Sequence, residues 1–282
     1  MYKSEEGKQA IFALYDKKLA ELNIDFKYEL VETSYGQTNL IVTGDAANPP
    51  LFLIPGANGC APIGLEAYPN LVEKFQVFAV DVIGQPTKSA DTKMSMKDES
   101  YGVWINEIIE KLELEAVTLV GFSLGGLIIL KTLIHDESKI KEVFLASPAY
   151  IVNGNPLKAI FKIFIPMRRY MSSQNPKFIE KFLKELFTDR DEFAIQFLST
   201  VFLHFQMDFS PVPTISKSEA QSINTPITLF GAKHDLLFPG GKMLKRAKKI
   251  FPSLKNGILI EDSKHVQNRK HNEKVEKLIL GN

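Results

Sequence analysis

The stretch Ala116–Leu130, AVTLVGFSLGGLIIL, decides the fold. AVTLVG is short, apolar and bounded by Gly, which predicts a strand covered on both faces. Leu124 to Ile134 continues as an apolar helix. Between the two stands Gly121-Phe122-Ser123-Leu124-Gly125, a G-x-S-x-G pattern in the strand–turn–helix setting that gives it meaning. So sharp a turn holds Ser123 in a strained conformation with its hydroxyl aimed out of the sheet top. Side chains flanking it would collide, so Gly121 and Gly125 form the elbow. The helix that starts at Leu124 turns its free amides toward any negative charge developing near Ser123.

Buried strands recur on both sides of this unit. Pro50–Pro55 (PLFLIP), Gln76–Ile83 (QVFAVDVI), Glu142–Ala146 (EVFLA), Pro226–Gly231 (PITLFG) and Gly257–Glu261 (GILIE) are short apolar runs. Helical stretches separate most of them: Leu65–Lys74, Ser100–Leu112, Gly241–Ile250 and Asn272–Leu280. Upstream, Met1–Ile24 carries apolar residues at helical spacing. Asp25–Thr33 and Gln37–Thr43 then form a hairpin around Ser34-Tyr35-Gly36. Strands alternating with helices predict an α/β fold: a mostly parallel central sheet with helices on both faces. The alternation lapses after the sixth strand. Residues 150–222 hold helical patterns with many Phe and no buried strand, which predicts a helical cap; residues 1–149 and 223–282 form the core.

A serine hydroxyl needs a base at neutral pH, and functional residues of a parallel sheet gather beyond the strands' carboxyl ends. Of five His, His265 lies just past GILIE and is the base candidate. His135 ends the helix after Ser123 and reads as a cap. His271 reads as a solvated residue at the start of the last helix. His204 falls in the insert, and His234 stands three residues past PITLFG. Asp235, beside His234, is the acid candidate, and the order Ser123, Asp235, His265 suits a nucleophile–acid–base set. Asp262 is the rival acid, three residues before His265 and poorly placed to reach around it. Acyl transfer also asks for oxyanion donors. The backbone amides of Leu124 and of Ala57, in Pro55-Gly56-Ala57-Asn58-Gly59, are the candidates.

Composition excludes other classes. The 282 residues include 45% apolar and 24% charged residues, with 34 Lys+Arg against 33 Asp+Glu, a net charge of +1. That is an ordinary globular balance and gives no reason to expect nucleic acid. The single Cys60 forbids an intramolecular disulfide, fits a reducing compartment and makes the cytoplasm the expected location. Near the oxyanion loop, Cys60 reads as an unremarkable small residue or as one through which thiol reagents reach the site. No apolar run is long enough for a transmembrane helix. The chemistry needs no cofactor and no metal. A small-molecule ester is the expected partner, and a homodimer is compatible with the chain. The basic run Lys242, Lys245, Arg246, Lys248, Lys249 reads as a solvated helix face.

PGANG after one strand, Asp81-Val82-Ile83-Gly84 after the next, GFSLGG, GAKHD and SKH together resemble the α/β-hydrolase family over most of the chain. The likeness is to small bacterial carboxylesterase-like serine hydrolases with a helical cap. The family often has His-Gly where this chain has Pro55-Gly56, and Gln85-Pro86 interrupts its usual Gly/Ser stretch after Asp81. The resemblance implies hydrolysis of a small or medium, apolar carboxylic ester through an acyl-enzyme. Ser at 123 disfavours the dehalogenase and epoxide-hydrolase branches, which use Asp there. Thioesterases, C–C bond hydrolases, lyases on the same triad and receptor-like members with little turnover stay open.

Overall fold

Two apolar clusters sandwich one sheet, and strand alternation decides which residue joins which. In β3 (Pro50–Ile54), Phe52 and Ile54 face one cluster, while Leu51 and Leu53 face the other. The computed structural model describes residues 1–281. The eight-stranded sheet runs β1-β2-β4-β3-β5-β6-β7-β8. β1 (Phe26–Thr33) and β2 (Gly36–Thr43) form an antiparallel hairpin, and β2 meets β4 (Gln76–Val80) antiparallel. From β4 across to β8 every pairing is parallel, through β5 (Val117–Phe122), β6 (Ile140–Ala146), β7 (Ile227–Ala232) and β8 (Leu254–Ile260). The expected mostly parallel α/β sheet is therefore present. The parallel pairings put the carboxyl ends of β3 to β8 on one edge, where the site lies.

One face is covered by α3 (Ser100–Lys111), α4 (Leu124–His135) and α10 (Gly240–Ile250). Trp104 is buried there with its indole N–H satisfied by Thr38 Oγ1 at 2.8 Å. The other face is covered by α1 (Glu5–Glu21), α2 (Ala61–Ala67) and α11 (Arg269–Ile279). The helix expected over 65–74 is instead α2, a break at Tyr68, and a 3₁₀ turn at Pro69–Glu73. Pro69 has no amide to donate and ends the α-helical ladder.

Between β6 and β7 the chain forms α5 (Pro156–Ala159), a π turn (Ile160–Phe164), α6 (Ile165–Ser173), α7 (Pro176–Leu186), α8 (Glu192–His204) and α9 (Lys217–Ser222). Many of its Phe are packing residues. Phe182 meets Phe202 edge-on at 5.1 Å, and Phe197, Phe202 and Phe205 are fully buried in the cluster that holds Ile11 and Tyr15 of α1. Ala220 of α9 joins the opposite cluster, with Ile227 and Met243.

The face of α10 is not simply solvated. Arg246 donates through Nη1 to the Ile151 carbonyl at 3.0 Å and through Nη2 to the Ile215 carbonyl, and Lys242 Nζ donates to the Asn153 carbonyl at 3.0 Å. These side chains hold the two ends of the inserted segment against α10. The fork of one guanidinium can satisfy two carbonyls that no strand or helix reaches.

Candidate active site

At the turn from β5 to α4, Ser123 adopts φ 53° and ψ −111°. A non-glycine residue in that region stores about 1–3 kcal/mol of strain. Surrounding bonds hold it: the Ser123 amide donates to the Ala146 carbonyl at 3.1 Å, and its carbonyl accepts from the Ala149 and Gly126 amides at 2.9 and 3.0 Å. The elbow glycines are sterically required. A Cβ on Gly121 would lie 2.7 Å from the Gly125 carbonyl carbon, and one on Gly125 would lie 2.1 Å from the Ile54 carbonyl oxygen. Gly125 thus lets α4 start directly against the end of β3.

The structure brings Ser123, His265 and Asp235 into one hydrogen-bonded chain. His265 Nε2 lies 3.0 Å from Ser123 Oγ, and His265 Nδ1 lies 2.8 Å from Asp235 Oδ2. All three residues are buried. Asp235 follows β7, and its other oxygen, Oδ1, accepts from the Leu237 and Phe238 amides at 2.8 and 3.0 Å. Those two donors leave Oδ2 free to face the imidazole. An acid so placed holds Nδ1 protonated and leaves Nε2 to accept from the serine. The rings of Phe122 and Phe238 approach the imidazole at 5.0 and 5.5 Å and pack against it. His234 and Asp262 are exposed and stand outside this chain of bonds.

The loop after β3 lies against the elbow. A Cβ on Gly56 would fall 3.2 Å from Ser123 Cβ. Gln85 Oε1 accepts from the Asn58 amide at 2.9 Å and Gly59 donates to Gly56 at 3.1 Å, which shapes the turn around Ala57. The Ala57 and Leu124 amides have no acceptor among the described residues. Asp81, fully buried after β4, anchors the same loop from beneath. Its carboxylate accepts from the Ala61 amide at 3.0 Å, Tyr15 Oη at 2.9 Å, Asn39 Nδ2 at 2.9 Å and the Lys88 amide at 3.1 Å. Burial pushes its pKa up, and these four donors oppose that shift.

Three sequence expectations change. Cys60 is completely buried, and desolvation raises its thiol pKa well above normal, so thiol reagents have no path through it. His271 is buried, not solvated. The signal was its spacing with Val275 and Ile279, which puts it on the inward face of α11. His135 faces Glu99 at 3.8 Å instead of capping carbonyls. His204 packs against Gly7 of α1, where a Cβ would come within 2.6 Å of it.

Sequence reasoning missed Thr188. Its hydroxyl donates to the Val266 carbonyl at 2.8 Å and accepts from the Lys264 amide at 3.1 Å. It thus bonds the residues on either side of His265.

Residues 49–211 match the family described as alpha/beta hydrolase fold. An uncharacterized carboxylesterase, nap, from Bacillus subtilis (strain 168) is 25% identical over 276 residues, spanning 90% of this chain and 86% of its own. Carboxylesterase YbfK of the same organism is 22% identical over 283 residues, spanning 95% and 92%. The crystal structure of naproxen esterase (carboxylesterase NP) from Bacillus subtilis superposes with a TM-score of 0.83 at 22% identity over 99% of each chain. Among the described residues no helix is long and apolar enough to cross a membrane.

Proposed function

This chain belongs to the α/β-hydrolase fold family, and from that premise we propose that it is a carboxylesterase working through an acyl-enzyme on Ser123. Ester hydrolysis is the activity in the names of its carboxylesterase relatives. The observation that carries the mechanism is the unbroken hydrogen-bonded chain Asp235–His265–Ser123, buried at the carboxyl edge of the sheet.

His265 Nε2 takes the Ser123 proton as Oγ attacks the ester carbonyl carbon. The carbonyl oxygen becomes an oxyanion and accepts from the Ala57 and Leu124 amides. As the tetrahedral species collapses, the C–O bond to the alcohol breaks and His265 returns the proton to the leaving oxygen. A water then loses a proton to His265, attacks the acyl carbon, and the acid leaves as Ser123 regains its proton. Each oxyanion donor typically contributes about 10²–10³ in rate. Asp235 holds the imidazolium throughout. No step calls on a cofactor. The acyl group in this proposal is apolar and of small or medium size, and the rings of Phe122 and Phe238 make the surroundings of His265 apolar.

The test pairs fluorophosphonate labelling with hydrolysis of short and long nitrophenyl esters, in wild type and Ser123→Ala. Labelling and turnover that vanish together in the variant are expected. Labelling without turnover on any ester would instead favour a receptor-like protein. Turnover that survives Ser123→Ala would overturn the assignment.

A further inference from the structure

The inserted helix presents an apolar stripe to solvent. Asn155 caps its start by accepting from the Lys158 amide at 3.1 Å, and the helical run then continues from Pro156 to Ser173 through the π turn. Its inward side is ordinary: Ile163, Met167 and Tyr170 are buried in the cluster shared with α1. Its outward side is not. Leu157 and Phe161 are 64% and 65% exposed, and Ile160 and Phe164 are exposed beside them. Positions 157, 160, 161 and 164 have the spacing that lines one helical face. Phe209, also exposed, meets Phe164 edge-on at 6.2 Å and widens the stripe. Isolated exposed apolar residues need no explanation, but a contiguous stripe of five does.

Charge around the stripe is mainly positive. Residues 156–186 carry seven Lys or Arg against two Glu, a local charge of +5 in a chain whose net charge is +1. Lys158, Arg168 and Arg169 are exposed along the same helix. Lys162 is bonded to Glu185 at 3.0 Å, which neutralises one of the seven. A second copy of this chain facing this patch through a twofold would set these cations against each other. An anionic lipid surface would instead accept both features at once, with the apolar side chains entering the headgroup boundary and the cations meeting phosphates.

We propose that this helix docks the protein onto an anionic phospholipid bilayer surface, with Leu157, Ile160, Phe161 and Phe164 inserted and Lys158, Arg168 and Arg169 on lipid phosphates. The docking is peripheral. The carboxyl end of α7 is joined to a residue flanking His265, as Val266 donates to the Leu186 carbonyl at 2.9 Å. The docked insert and the candidate catalytic histidine are therefore mechanically linked.

The test is flotation of the full chain with vesicles of phosphatidylcholine alone and of equal parts phosphatidylcholine and phosphatidylglycerol. It uses the Ser123→Ala protein, so that lipid binding is read independently of the esterase assignment. Binding to the mixed vesicles is expected, at least tenfold weaker on phosphatidylcholine alone and weaker as salt rises. Leu157→Ser with Phe161→Ser should lower the partition coefficient at least tenfold. Lys158→Ala and Arg168→Ala should each lower it about fivefold. All four positions are exposed, and an unchanged circular dichroism spectrum and melting temperature check that the variants fold. No binding to the mixed vesicles, or binding indifferent to these substitutions, overturns the proposal. So does a dimer in light scattering that dissociates on Phe161→Ser without vesicle binding, because a second copy would then cover the stripe.

Discussion

Thr188 and Val266 are joined twice. The Thr188 amide donates to the Val266 carbonyl at 3.0 Å and the Thr188 hydroxyl donates to the same oxygen at 2.8 Å. The hydroxyl also accepts from the Lys264 amide at 3.1 Å, so both chain neighbours of His265 hang on one side chain of the insert. Thr188→Val keeps the shape and the amide bond but leaves the Lys264 amide without its acceptor. Near-attack geometry tolerates little displacement. We expect kcat on a nitrophenyl ester to fall about tenfold with KM nearly unchanged, roughly the value of one hydrogen bond. Thr188→Ser should recover most of the loss. A merely structural role would lower the melting temperature of Thr188→Val and leave kcat as it was.

Two acids compete in the sequence, and their environments separate them. Asp235 Oδ1 is occupied by two backbone amides, which fixes Oδ2 on His265, whereas Asp262 is exposed. Asp235→Asn would present an amide N–H to Nδ1 or lose that contact, stabilising the wrong imidazole tautomer. Its kcat should fall by about 10⁴, the size of that effect in a serine triad. Asp262→Asn should stay within about twofold of wild type, since surface changes of this kind rarely disturb more than their own hydration. Steady-state kinetics of the pair decide it, and the reverse ranking would identify Asp262 as the acid.

The elbow, the sheet and the order of Ser123, Asp235 and His265 were legible because each is written locally: strand, breaker, helix. The placement of Asp235 beside His265 was readable from chain direction, since Asp235 follows a strand at the carboxyl edge. What escaped depends on contacts between distant residues. Thr188 meets Val266 across 78 positions, and Arg246 reaches Ile151 across 95. No periodicity marks a side chain that bonds a remote carbonyl. The insert's Phe residues look alike in sequence, yet Phe202 is buried and Phe161 exposed. Which face of the helical run turns inward depends on α7 and α8 packing against it. His271 was misread for a different reason: one polar residue on an apolar face is outvoted by the charged residues around it.

Backbone strain at the elbow has a measurable consequence. Ser123 holds φ 53°, a conformation open to Gly and costly for any residue with a Cβ. Ser123→Ala and Ser123→Gly both remove the hydroxyl and its bond to His265, so the difference between them isolates the backbone. Gly relieves the strain but gives up about 0.5–1 kcal/mol of unfolded-state entropy. The net expectation is that Ser123→Gly is more stable than Ser123→Ala by about 0.5–1 kcal/mol, or roughly 2 °C in melting temperature. Calorimetry reads the difference directly. An Ala variant as stable as the Gly variant would mean that the elbow relaxes once the serine is gone.

His271 should make stability fall in mild acid. Its side chain is buried on the inward face of α11, Nδ1 has no hydrogen-bond partner among the described residues, and desolvation holds its pKa below the ordinary 6.5. Lys274 and Lys270 push in the same direction, while Asp262 and Asp189 oppose them. A base with a depressed folded pKa binds its proton more readily when the chain is unfolded. Unfolding therefore takes up a proton, and the associated stability is fully present above the unfolded value. It is lost as pH falls from about 6.5 toward the lower folded value. His271→Gln cannot titrate, so it should lose less stability than wild type between pH 7.5 and pH 5, whatever its starting level. Urea denaturation at both pH values, in both proteins, gives four free energies and one difference of differences. That difference should be positive, the sign set by a folded pKa below the unfolded one. Parallel losses in the two proteins would place the acid sensitivity in other groups and leave the buried imidazole without a part in it.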